Sequence, residues 1–238
     1  MINGLYSGAA AMNMLAKQQE VISSNLMHVN SSGHRRTQVG VKQRFDLENV
    51  DVNIDLGPQV HKLQRSFEAG RRLNTDRPLD VAITGDGFFV FDVDGTEHYS
   101  RNGRLFRDPD SNLIINEEGY PIQGENGPIT IQPIVSDRDI AIATDGTISA
   151  QGVEIGKLKM VAFSDNQSLK PVGIASFVRT DDSIESENKP SVTQFHHELS
   201  NVQPVSELVS MIVNNRQYEA VQRATRALAD SLREYIRE

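Results

Sequence analysis

The stretch Leu79-Asp80-Val81-Ala82-Ile83-Thr84-Gly85-Asp86-Gly87-Phe88-Phe89-Val90-Phe91-Asp92-Val93-Asp94-Gly95 holds two runs of β-branched and aromatic residues, each closed by an Asp-Gly step. Such side chains favour the pleated backbone, and Asp-Gly accepts the positive φ of a tight turn. The reading is a hairpin at Asp86-Gly87, between Ile83 and Phe88, inside a β domain. Further out, Leu113 to Asn116, Ile129 to Gln132, Ile140 to Thr144, Thr147 to Ala150 and Lys157 to Phe163 continue the pattern. Asn102-Gly103, Asn126-Gly127 and Asp145-Gly146 punctuate it, and together these signals predict an antiparallel β domain over residues 57–180.

Beyond that region the apolar period lengthens. Met12, Leu15, Gln19, Ile22, Leu26 and Val29 alternate steps of three and four, with Leu5 upstream, so residues 1–33 read as a helix closed by Asn30-Ser31-Ser32-Gly33. Residues 201–238 mirror it. After the capping candidates Ser200 and Asn201, a helix opens at Pro204 and carries the seam Tyr218, Val221, Thr225, Leu228, Leu232 and Tyr235. Val205, Leu208 and Ile212 extend the seam upstream, and Ala220, Ala224, Ala227 and Ser231 beside it allow close approach of another helix. The fold class is therefore mixed α and β, a central antiparallel β domain flanked by long terminal helices. Residues 34–56 read as an extended connection and residues 181–200 as a mobile one.

Composition removes several classes of function. The chain has no cysteine, which excludes disulfides, thiolate metal sites and a cysteine nucleophile. A formal charge of -8, from 24 basic against 32 acidic side chains, argues against nucleic acid as a partner. No apolar run is long enough for direct membrane insertion, and Met1-Ile2-Asn3-Gly4 does not open a cleaved signal peptide.

Catalytic and metal motifs stop at near misses. Gly85-Asp86-Gly87 is followed by Val90 where a dinucleotide loop needs a third glycine. Asp108, Asp110 and Asn112 open like a calcium loop, but Leu113 stands where its glycine should be. His196-His197-Glu198 lacks metalloprotease spacing and reads as a surface polar cluster, and Arg35-Arg36 as part of a solvated basic patch. The chain is expected to be no enzyme, with no cofactor and no metal.

Three stretches carry a family likeness. The first runs from Gly4-Leu5-Tyr6-Ser7-Gly8 to Ser24-Asn25-Leu26 and Gly33. The second holds Leu79, Asp80, Gly85, Gly87, Phe88 and Phe89, then Tyr99-Ser100-Arg101-Asn102-Gly103. The third is Ser200-Asn201-Val202 with Arg216-Gln217-Tyr218. On these residues the chain resembles the flagellar basal-body rod and hook-basal-body protein family over nearly its whole length. Met27-His28 and His34 depart from the family pattern. The resemblance implies a structural subunit exported through the flagellar type III apparatus without a cleaved signal. Such a subunit would stack in the rod with copies of itself and neighbouring rod proteins, its helices pairing in a coiled-coil-like core on assembly. The short stretch after Arg44 favours a proximal over a distal rod protein.

Overall fold

In the computed structural model, which describes residues 2–46, 54–188 and 190–237, the chain divides into two units. One comprises Met1–Met27, Arg36–Ser66 and Val202–Glu238, the other His28–Arg35 and Phe67–Asn201.

The first unit is built from α1 (Ile2–Met27), a hairpin of β1 (Thr37–Asp46) and β2 (Ile54–Arg65), and α2 (Pro204–Arg237). The hairpin occupies much of the span expected as an unpaired connection, because Thr37 to Lys42 find main-chain partners from Arg65 back to Gln59. Asn25, 1% exposed, secures its start. The Asn25 amide Nδ2 donates to the Thr37 carbonyl and its Oδ1 accepts from the Thr37 N–H, both at 2.9 Å. One side chain thus does the work of a neighbouring strand.

The helices run antiparallel, and here the coiled-coil expectation fails. Helix α1 is short, 26 residues against 34 in α2, and Val29 lies beyond its end. Its face toward α2 carries Gly4 beside Leu228 and Gly8 beside Thr225. Further along, Asn214 meets Leu15 and Gln19. A coiled coil needs apolar knobs at successive seam positions. Glycine offers none and Asn214 is polar, so no such seam forms among the described residues.

The second unit is antiparallel throughout its named strand pairs. It contains β3 (Arg72–Asn74), β4 (Val81–Thr84), β5 (Phe88–Val93), β6 (Thr96–Ser100), β7 (Phe106–Arg107), β8 (Ile114–Ile115), β9 (Gln123–Gly124) and β10 (Gly127–Pro128). The chain continues through β11 (Ile140–Ile142), β12 (Thr147–Ala150), β13 (Val153–Lys157), β14 (Met160–Phe163), β15 (Lys170–Val172), β16 (Ser176–Val178), β17 (Glu185–Ser186), β18 (Ser191–Gln194) and β19 (His196–Glu198). The largest sheet orders β15-β16-β6-β5-β14-β17. Asp94-Gly95, with φ of 52° and 81°, closes the β5–β6 hairpin. Asp86-Gly87 does not close one: β4 pairs with β18 and β5 with β6 and β14. Gly87 takes φ 149° as the chain passes between sheets, and a Cβ there would sit 2.6 Å from Pro190 Cγ. The span expected to be mobile is tied in, since β17 pairs with β14, β18 with β4 and β19 with β3.

Two apolar clusters fill this unit. Phe88, Val90, Tyr99, Phe163 and Phe177 form one, and Val81, Phe89, Phe91, Leu105 and Ile148 belong to the other. Alternate residues of β5 thus serve opposite faces, and each large side chain buried contributes about 1.5–3 kcal/mol.

Candidate assembly surface

The α2 helix presents two faces. At 3.6 residues per turn, Asn214, Val221, Thr225, Leu228 and Leu232 fall on one side, where Gly4, Gly8 and Leu15 of α1 lie opposite the Leu228, Thr225 and Asn214 members. Val221, Leu228 and Leu232 are half-buried, and Tyr218 is 37% exposed. Tyr235 belongs to the helix, but its side chain lies outside the described residues. On α1, Leu15 and Ile22 are buried, and Leu5, Met12 and Leu26 half-buried.

The other face has no cover among the described residues of its unit. Val205, Leu208, Val209, Ile212 and Val213 follow steps of three, one, three and one, and range from 47% to 74% exposed. Ala220, Ala224, Ala227 and Ser231 continue the same side, all exposed. Sequence reading found Val205, Leu208 and Ile212 but missed Val209 and Val213. The i, i+4 file Val205-Val209-Val213 was the available signal. Glu207, 1% exposed, pairs with Arg36 and is turned away from this stripe.

Within the second unit, the motif residues gather around a buried charge cluster. Glu198 is 1% exposed, Arg35 0% and Arg101 3%. Glu198 Oε1 takes Arg35 Nη1 at 2.8 Å and Oε2 takes Arg101 Nη1 at 3.3 Å. The Gly70 N–H donates to the same carboxylate at 2.7 Å. Burial pulls the Arg101 guanidinium down from its usual range, and Glu198 opposes that pull. Arg35 also donates to the Glu68 carbonyl, as does Asn201, while Arg101 donates to the Gly85 carbonyl. Gly33, at φ +70°, approaches so closely that a Cβ would lie 2.5 Å from the Asn102 nitrogen. Thus Gly33, Gly85 and Asn201 are brought together around Arg35, Arg101 and Glu198, of which sequence reading had assigned Arg35 and Glu198 to solvent. His197-Glu198 and Arg35 are core, not surface.

The remaining motif positions divide. Leu79, Phe88 and Phe89 are apolar core, and Ser200 and Val202 are also buried. Asp80, also buried, holds Arg77 at 3.1 Å, His197 at 3.6 Å and the Thr75 hydroxyl at 2.9 Å. Ser24 and Arg216 are exposed and join neither cluster.

Residues 82–150 match the family model described as the flagellar hook protein FlgE/F/G D1 domain. Residues 193–237 match that of the flagellar basal body rod FlgEFG protein C-terminal. The flagellar basal-body rod protein FlgF of Caulobacter vibrioides is 26% identical, over 93% of this chain and 91% of its own. FlgF of Salmonella typhimurium is 29% identical over 92% and 91%. FlgG of Agrobacterium fabrum, another basal-body rod protein, is 30% identical, over 88% of this chain and 90% of its own. With the sheet-bearing stretch, the α2 stretch and nearly the full length of these relatives all matched, the chain belongs to the flagellar basal-body rod protein family.

Proposed function

We propose that this protein is a structural axial subunit of the bacterial flagellar basal-body rod, with a mechanical and not a catalytic role. The observation that carries the reading is the uncovered α2 face from Val205 to Val213, prolonged by Ala220, Ala224 and Ala227. A stripe of this kind on a helix whose opposite side is already used implies a further helical neighbour. Burying each of its larger side chains would add about 1.5–3 kcal/mol, and the alanines permit close axial approach. In this reading the neighbours are other copies of the chain and other rod proteins.

The chain reaches the basal body through the flagellar export apparatus. A proximal position rests on the short stretch after Arg44. Antibody labelling of isolated basal bodies in electron microscopy tests the proposal. Label confined to the rod is expected, and label absent from basal bodies but present in the soluble fraction would overturn it.

A further inference from the structure

Three Asn-Gly steps occur in the chain, Asn3-Gly4, Asn102-Gly103 and Asn126-Gly127, and the structure holds each of them differently. At such a step the glycine amide nitrogen can attack the asparagine side-chain carbonyl, provided the backbone is free to bring the two together. Glycine favours this, having no Cβ to block the approach and little restriction on φ.

Asn3 and Gly4 lie within α1, where the helical ψ of about −42° holds the Gly4 nitrogen away from the Asn3 side chain. Asn102 is tied at both ends: its Oδ1 accepts from the Arg104 N–H at 3.1 Å, and its own N–H donates to Ser100 Oγ at 3.1 Å. Gly103 is buried, and its carbonyl accepts from the Val81 N–H at 2.9 Å. A Cβ on Gly103 would lie 1.7 Å from the Val81 carbonyl oxygen, so this stretch cannot turn without parting from Val81.

Asn126 is exposed and stands in the two-residue turn between β9 and β10. These strands share only the pairs Gly127 with Gly124 and Pro128 with Gln123, and so short a ribbon opens at low cost. Gly127 takes φ of 115°. Among the described residues, no atom beyond its chain neighbours lies within 4 Å of where a Cβ on it would stand.

We infer that Asn126 is a site of spontaneous modification, closing to a succinimide with Gly127 and reopening as aspartate or isoaspartate. The Gly127 nitrogen gives up its proton to solvent and forms a bond to Asn126 Cγ. The Cγ–Nδ2 bond breaks, and that nitrogen takes a proton from solvent and leaves as ammonia. Water then adds to one of the two ring carbonyls: opening at the side-chain carbonyl gives aspartate, and opening at the main-chain carbonyl gives isoaspartate. Either product adds a carboxylate next to Glu125, which already pairs with Lys157 at 3.1 Å. Isoaspartate also lengthens the turn by one main-chain atom, which the pairing of Gly124 with Gly127 does not accommodate.

Peptide mapping by mass spectrometry on the folded full chain, held at mildly alkaline pH and sampled over time, tests this, with electron-transfer fragmentation separating isoaspartate from aspartate. Asn126 should convert at least about tenfold faster than Asn102, the ratio that about 1.4 kcal/mol of extra opening cost at Asn102 gives. In denaturant the three steps should convert at similar rates. Asn126→Gln should keep the fold and leave its peptide unconverted, because the longer side chain closes the ring poorly. Conversion at Asn3 or Asn102 as fast as at Asn126 in the folded chain would overturn the inference. So would an Asn126 that stays an amide there while Asn126 in denaturant converts.

Discussion

Asn214 on α2 reaches across to α1, its amide Nδ2 donating to the Leu15 carbonyl at 3.0 Å and to Gln19 Oε1 at 2.9 Å. The residue is 2% exposed, so this contact is made away from water and specifies one register of the two helices. Apolar pairs would tolerate sliding by a turn, whereas an amide set one turn away loses its acceptors. Asn214→Ala should therefore cost about 1–3 kcal/mol in the helical unit. Thermal melting followed by circular dichroism at 222 nm checks this. A melting point equal to that of the unaltered chain would show that the contact does not fix the pair.

Gly8 makes the close approach of the helices possible. A Cβ at this position would fall 2.5 Å from Thr225 Oγ1, which itself donates to the Val221 carbonyl. Gly8→Ala would ordinarily stabilise a helix by about 0.8–1 kcal/mol, but here it should destabilise. Adding Thr225→Ala removes the obstructing oxygen and should restore or exceed the original melting point. Simple additivity of the two changes would contradict the packing described.

Glu198 neutralises two buried guanidiniums. Glu198→Gln should cost the β-rich unit about 3–5 kcal/mol, because Arg35 and Arg101 would be left buried without their counter-charge. Phe88, Tyr99 and Phe177 report on this unit, so near-ultraviolet circular dichroism follows its loss. The Arg36–Glu207 pair belongs to the other unit, and Arg36→Gln should leave that signal unchanged.

The β6–β14 neighbourhood sets a pH dependence. The Lys159 hydrogen bond holds the Glu97 carboxyl below its ordinary value, with a second bond from the Tyr99 hydroxyl acting the same way. A depressed carboxyl stabilises the fold above its unfolded pKa, near 4.3, and that contribution is lost as pH falls below it. Burial, then the bond to Glu97, pushes the Tyr99 phenol upward, so stability should also decline as pH rises past the ordinary tyrosine value near 10. Glu97→Gln should flatten the acid limb of a denaturation-against-pH curve. An acid limb of unchanged slope would assign it to other carboxylates.

What could be read from the sequence was local. Phe88–Val93 was read with its observed bounds and Asp94-Gly95 as its turn, because a two-residue hairpin carries its own signal. At Asp86-Gly87 the break between two strands was legible but the hairpin expected there does not form, since β4 finds its partner in β18, more than a hundred residues later. Glu198 looked like solvent-facing polarity beside two histidines, and only Arg35 and Arg101, distant in sequence, make it a core residue. On α2 a narrow three-four seam was traced. Half of it turned out to face α1, and the wider stripe holding Val209 and Val213 went unread, because periodicity marks apolar files without saying which file another element has already taken.

The central claim is that the uncovered α2 stripe is what a neighbouring rod subunit packs against. Val209→Asp combined with Val213→Asp tests it, since both side chains are about half exposed on the stripe and neither lies on the side that meets α1. The isolated variant should keep its helix content and its β-rich unit, and cells carrying it should still export it. Electron microscopy of basal bodies from those cells should then show rods truncated at this subunit, because two carboxylates would have to be buried without partners. Complete rods of normal length, with the variant incorporated, would contradict the account.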